Sequence, residues 1–226
     1  MEYEIKGTVM PQVEVRLMEG ESVYTESGGM AWMDDGIEMD ANARGGLGGA
    51  MKRMFSSESI FVTSYRCTTA AANVSFTAST PGVIVPVELG EGEEIVAQKG
   101  AFLAAADSVE LSIHFQKRMR AAFFGGEGLI MQKLTGPGLV LFEIGGEVVE
   151  YTLEEGQTMK VDPGHTAMFE PAVDFSLERI KGIKNILTSG EGLFLATLTG
   201  PGRIWLQTMP LSAMVGAIAQ LLPKRR

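Results

Sequence analysis

Cysteine and histidine are scarce in this chain. There is one cysteine, Cys67, and there are two histidines, His114 and His165. A lone cysteine excludes an intrachain disulfide framework and any multi-cysteine metal site. Cys67 reads as a small buried apolar side chain. Positive charge is also short: 19 Lys and Arg stand against 28 Asp and Glu, for a net charge of −9. That balance argues against general nucleic-acid binding while leaving room for a local basic patch. Long apolar runs are missing too. The longest, LSAMVGAIAQLL at 211–222, is too short to span a bilayer. The opening MEYEIKGTVM has neither the basic start and apolar core of a signal peptide nor the composition of a transit peptide. A cytoplasmic protein is the expectation.

Apolar residues and glycine are plentiful. A hydrophobic content of 45% over 226 residues supports a sizeable core, and 28 glycines punctuate the chain. Residues 126–138 read GEGLIMQKLTGPG, and residues 190–202 read GEGLFLATLTGPG, identical at nine of thirteen positions at an offset of 64. A degenerate first copy begins at Glu58 with ESIFVTSY. The Leu-x-Glu-Gly turns ending at Gly20, Gly92 and Gly156 fall in the same register. So do the segments starting at Gly28, Gly100 and Gly164. Self-similarity of this period implies a repeated supersecondary unit. Three tandem units are predicted, at about 13–82, 85–146 and 149–208. They form one β domain over 1–208, followed by a helical tail at 209–226.

Within each unit, period-2 alternation and glycine turns predict short antiparallel strands. VEVRL at 13–17 is the clearest: Val13, Val15 and Leu17 share one face. Pro86 in VIVPVEL (83–89) predicts an edge strand or a bulge. Gly145-Gly146 reads as a tight hairpin turn. Glycine-bearing crossovers with short helical patterns interrupt the strands near 44–57, 116–126 and 179–190. The third unit lacks a late strand, and the first has an extra one at 13–17. The N-terminal strand is therefore expected to complete the third unit, closing the repeats and hiding a sheet edge. In the tail, Leu211, Met214, Val215, Ile218 and Leu222 fall on one helical face.

Together, GGLGGAMKRMFSSES (45–59), IVPVEL (84–89), KGAFLAAADSVEL (99–111), GGEGLIMQKLTGPG (125–138), GHTAMFEPAVDF (164–175) and GPGRIWLQT (200–208) make the chain recognisable. It resembles the uncharacterised prokaryotic proteins related to the mitochondrial biogenesis factor named for altered inheritance of mitochondria. That resemblance implies a β-rich fold similar to the tryptophan RNA-binding attenuation protein, a closed, short double-stranded β-helix-like or prism-like domain. It also implies ring-like homo-oligomers, commonly trimers, and it carries no agreed catalytic residues.

No catalytic constellation emerges. His165 is followed by Thr166-Ala167, so the His-x-His pair of a cupin metal site is absent, and Glu170 gives only a partial match. There is no Gly-x-Ser-x-Gly, and no histidine lies near Cys67 in sequence. Asp34 and Asp35 belong to a DDG turn. Glu127 and Glu191 are equivalent by repeat, whereas catalysis needs two carboxyls in different environments. The tract 45–49, GGLGG, lacks the preceding strand and the Lys-Ser/Thr of a phosphate loop and reads as a hinge. No cofactor, metal ligand or catalytic residue is assigned.

The sharper signal is charge placement. The crossovers hold Arg44, Lys52, Arg53, Lys117, Arg118, Arg120, Arg179, Lys181 and Lys184, nine of the chain's 19 basic residues, with no Asp or Glu among them. Met51, Phe55, Phe123, Phe124 and Ile183 are interspersed. Pseudo-threefold symmetry would gather the crossovers at one end as a basic, partly apolar ring suited to an anionic membrane surface. The function expected is a non-enzymatic oligomeric scaffold or assembly protein with peripheral membrane contact. The alternatives are a cupin-like small-molecule or metal-binding protein and an RNA-binding ring.

Overall fold

The computed structural model describes residues 1–26, 28–41, 62–117, 128–179 and 194–221. The strands come in chain order as β1 (Glu2–Lys6), β2 (Gln12–Met18), β3 (Ser22–Glu26), β4 (Met30–Met33), β5 (Ile37–Asp40), β6 (Val62–Cys67) and β7 (Ala71–Thr77). Next are β8 (Gly82–Leu89), β9 (Glu94–Gln98), β10 (Phe102–Ala106), β11 (Glu110–Lys117), β12 (Leu129–Thr135) and β13 (Gly138–Gly145). The last are β14 (Val148–Leu153), β15 (Thr158–Val161), β16 (Thr166–Phe169), β17 (Asp174–Arg179), β18 (Phe194–Thr199) and β19 (Gly202–Gln207), before helix α1 (Leu211–Leu221). The protein is thus mainly β, with antiparallel sheets and one C-terminal helix.

The chain folds into two compact units. The first comprises Met1–Glu93, Phe102–Ser112 and Leu134–Glu143, and the second the remainder. The first unit holds a four-stranded sheet, β1-β2-β7-β4, and a six-stranded sheet, β5-β6-β3-β10-β13-β8. Alternation builds it. Val13, Val15 and Leu17 on β2 are fully buried, while Glu14 and Arg16 face outward. Val74 and Phe76 on β7 and Leu103 and Leu141 on β10 and β13 complete that core. Tyr65 meets Phe76 edge-on at 5.8 Å. Cys67 lies in the same cluster, buried, its thiol donating to the Thr69 carbonyl at 3.1 Å. Full burial of side chains this size stabilises the fold by about 1.5–3 kcal/mol each.

The second unit holds a six-stranded sheet, β11-β12-β9-β16-β19-β14, and a three-stranded sheet, β15-β18-β17. Its core gathers Val96, Leu129, Met131, Phe169, Leu198 and Ile204. Phe169 stacks on Phe175 at 5.4 Å, and Phe115 meets Phe175 edge-on at 5.3 Å.

Several expectations change here. The strand at 13–17 does not complete the third repeat: β2 bonds β1 and β7. The short β1 stops at Lys6, where Gly7 takes a positive φ of 89°, and it is β1 that covers the outer edge of β2. Among the described residues none of the four sheets closes on itself; each keeps two edge strands. Gly145-Gly146 is not a hairpin turn either, because β13 bonds β10 and β8 while β14 bonds β19. The turn hands the chain from one sheet to another. It needs glycine because a Cβ on Gly145 would strike the Met209 backbone and Gly146 has a φ of +72°. Pro86 sits on β8, an edge strand, the place in a sheet where a proline is tolerated.

Candidate functional site

Seven of the nine basic residues singled out by sequence, Arg44, Lys52, Arg53, Arg118, Arg120, Lys181 and Lys184, lie outside the described residues, as do the glycine tract 45–49, Glu127 and Glu191. For the other two, the backbone gives a position. Lys117 is the last residue of β11, and Arg179 is the last of β17, paired with Phe194. The strands flanking each segment correct its description. β5 pairs with β6, β17 pairs with β18, and β11 neighbours β12. The three basic segments therefore connect neighbouring strands of one sheet and are not crossovers between sheets. In every case the connection leaves from an edge strand.

The remaining polar groups are mostly engaged with one another. His165 closes a 3-10 turn at Pro163–His165, and its Nδ1 lies 2.7 Å from the Gln207 carbonyl. Glu170, the other half of the partial metal match, is taken by Arg203. It accepts the Arg203 backbone N–H at 2.8 Å and the guanidinium Nε at 2.7 Å. Burial pushes the Glu170 carboxyl up, but those bonds and the Arg203 charge outweigh it and hold it below the ordinary value. Arg203 also lies over the Trp205 ring at 5.2 Å, and Trp205 donates to Glu150 at 2.9 Å. Asp34 is more than a turn residue: it accepts both the backbone N–H and the side-chain amide of Asn73, at 2.8 and 2.9 Å. No three His, Cys, Asp or Glu side chains converge as metal ligands among the described residues.

Burial, then the Lys133 charge, push His114 below its ordinary value, with Glu94 opposing. Its ring meets Phe169 edge-on at 6.2 Å. Burial pushes the Glu143 carboxyl up, partly offset by its bonds to Ser79.

Exposed apolar surface is the feature that sequence reasoning located only in part. The tail forms α1, and Leu211, Val215 and Ile218, at i, i+4 and i+7, are exposed on it at 55, 52 and 52%. That face was legible from helical spacing. Trp32 and Met33 on β4, exposed at 52 and 37%, were not. A short alternating segment does not show whether a neighbouring strand will cover it. No described helix is long and apolar enough to cross a membrane.

These features define an antiparallel β-sheet protein that offers open strand edges and an apolar helix face among the described residues. The chain belongs to the mitochondrial biogenesis AIM24 family, whose model matches residues 3–209. It is 31% identical over 220 residues to an uncharacterised protein of Streptococcus pyogenes serotype M6, spanning 94% of this chain and 87% of that one. A crystal structure of a Streptococcus pyogenes protein has the same fold. It matches with a TM-score of 0.80 and 28% identity, over 98% of this chain and 99% of that one.

Proposed function

We propose that the protein is a homo-oligomeric assembly scaffold, most simply a trimer, that carries its basic connections to an anionic membrane surface. The observation that carries this reading is the apolar face of α1, where Leu211, Val215 and Ile218 are each more than half exposed. Such a face is covered in a working assembly, because contiguous apolar surface marks interaction sites.

The scaffold is built from three repeats with a layout like that of the tryptophan RNA-binding attenuation protein. Three strand pairs support this. The registers of β4 with β7, β10 with β13 and β16 with β19 slip at Met30/Trp32, Phe102/Ala104 and Thr166/Met168, the same place in each repeat. Gly20, Gly92 and Gly156 take φ values of +84°, +71° and +74° at the matching turns. Residues three apart clip all three turns alike: the Met18 N–H to Glu21 at 2.9 Å, the Gly90 N–H to Glu93 at 2.8 Å, and the Glu154 N–H to Gln157 at 2.9 Å.

Light scattering at micromolar concentration tests the reading. The expected mass is a multiple of the 24.3 kDa chain, and Val215→Glu with Ile218→Glu is expected to reduce it. A monomer mass for the wild type would overturn it.

A further inference from the structure

Strand β4 is exposed where its counterparts in the repeats are buried. Every residue of β10 and of β16 is buried, whereas Ala31, Trp32 and Met33 of β4 are exposed. The same contrast holds for a second set of strands. Val23, Tyr24 and Thr25 of β3 and Ile95 to Gln98 of β9 are buried, whereas Thr158 and Lys160 of β15 are exposed.

The cause is a missing neighbour. β10 lies between β13 and β3, and β16 lies between β19 and β9; among the described residues β4 has a strand partner only in β7, and β15 only in β18. In both six-stranded sheets a member of the first set bonds a member of the second. β10 bonds β3 with Ala105 opposite Tyr24, and β16 bonds β9 with Met168 opposite Ala97 and Phe169 opposite Val96. β4 and β15 are the members left over, each with one open edge.

We infer that β4 of one copy pairs antiparallel with β15 of a second copy, head to tail, so that their two small sheets become one continuous sheet. Carrying the observed registers through the repeat sets Trp32 opposite Val161 and Met33 opposite Lys160. The contact supplies ladder partners for two open edges, a liability that β proteins otherwise have to shield. It also covers Trp32, an aromatic of the kind that anchors interfaces. Such a contact is heterologous, so successive copies close into a ring when the rotation divides a full turn. The inference rests on the assembly reading above and names its interface.

Cross-linking tests it in the full chain. Met33→Cys and Lys160→Cys are made separately and mixed under mild oxidation. Residues directly opposite in an antiparallel pair have Cα atoms about 4.5–5.5 Å apart, within disulfide range. A linked dimer is expected from the mixture, and none from either variant alone or from the wild type, whose Cys67 is buried. Trp32→Glu is expected to abolish the linkage and lower the mass by light scattering. Trp32 is exposed in the single chain, so circular dichroism should be unchanged. An oligomer that yields no linked product from the mixture would overturn this interface while leaving the assembly reading intact. A wild-type monomer would overturn both. If a chain carrying both cysteines closes on itself while the mixture stays unlinked, the second copy is the wrong occupant.

Discussion

Glu143, near the end of β13, accepts two hydrogen bonds from Ser79, one from the backbone N–H at 2.6 Å and one from the hydroxyl at 2.8 Å. Burial nonetheless dominates, and the carboxyl sits above its ordinary value of 4.5. The folded state therefore holds this proton more tightly than the unfolded chain does. The resulting stability is fully present below 4.5 and is lost as pH rises through the higher folded value. Glu143→Gln keeps an acceptor for Ser79 and removes the titration. Denaturant unfolding as a function of pH should show the variant gaining on the wild type toward neutral pH. Parallel pH profiles for the two would contradict the assignment.

Glu170 runs the opposite way. Its pKa is lowered because the Arg203 N–H and guanidinium outweigh desolvation. Its contribution is present above 4.5 and lost as pH falls through the lower folded value. The Arg203 and Glu170 side chains are 52 and 32% exposed, so screening keeps the contribution small. Arg203→Ala should cost under about 1 kcal/mol at neutral pH. The cost should shrink as acid protonates Glu170. Chemical denaturation of both proteins at several pH values measures it.

Two glycines of one turn region should respond differently to alanine. Gly92 has a φ of +71° with open space where a Cβ would sit, so Gly92→Ala should cost only the left-handed backbone, about 1–2 kcal/mol. At Gly136 a Cβ would come within 2.6 Å of the Leu89 Cβ and strike the Gly90 carbonyl. Backbone must move there, and Gly136→Ala should cost clearly more than Gly92→Ala in the same unfolding assay.

Strand positions were legible because alternation and glycine turns are local signals. Val13, Val15 and Leu17 announce the buried face of β2, and all three are buried. Pairing was less legible. Nothing local in VEVRL says that β2 should bond β7 rather than a strand of the third repeat, because neighbours in a sheet are set by packing over long sequence distances. The same holds for Gly145-Gly146, whose turn chemistry fits a hairpin but whose flanking strands go to different sheets. At the candidate site, charge clustering was visible in sequence. The Asp34–Asn73 and Glu170–Arg203 bonds were not, because they link residues brought together by the β4–β7 ladder and by the end of the β16–β19 ladder.

The last prediction concerns the basic connections. The three of them hold nine Lys and Arg and no acid in a chain of net charge −9, interspersed with Phe, Met and Ile. A solvated, acid-depleted face would give that composition without any partner. A docking face would show itself through salt. Each Lys or Arg near an anionic leaflet contributes about 1 kcal/mol, and the attraction decays within a Debye length of about 8–10 Å at physiological salt. Cosedimentation with phosphatidylserine-containing vesicles and not with neutral ones is therefore expected, weakening as salt is added. Replacing Lys117, Arg118 and Arg120 with Glu reverses three charges in the second connection and should abolish binding while leaving the mass by light scattering unchanged. Nucleic acid would be distinguished by binding that survives in the absence of vesicles and is competed by RNA. Equal sedimentation of wild type and triple variant on anionic vesicles would mean that the basic connections are solvated faces and that the scaffold meets its partners elsewhere.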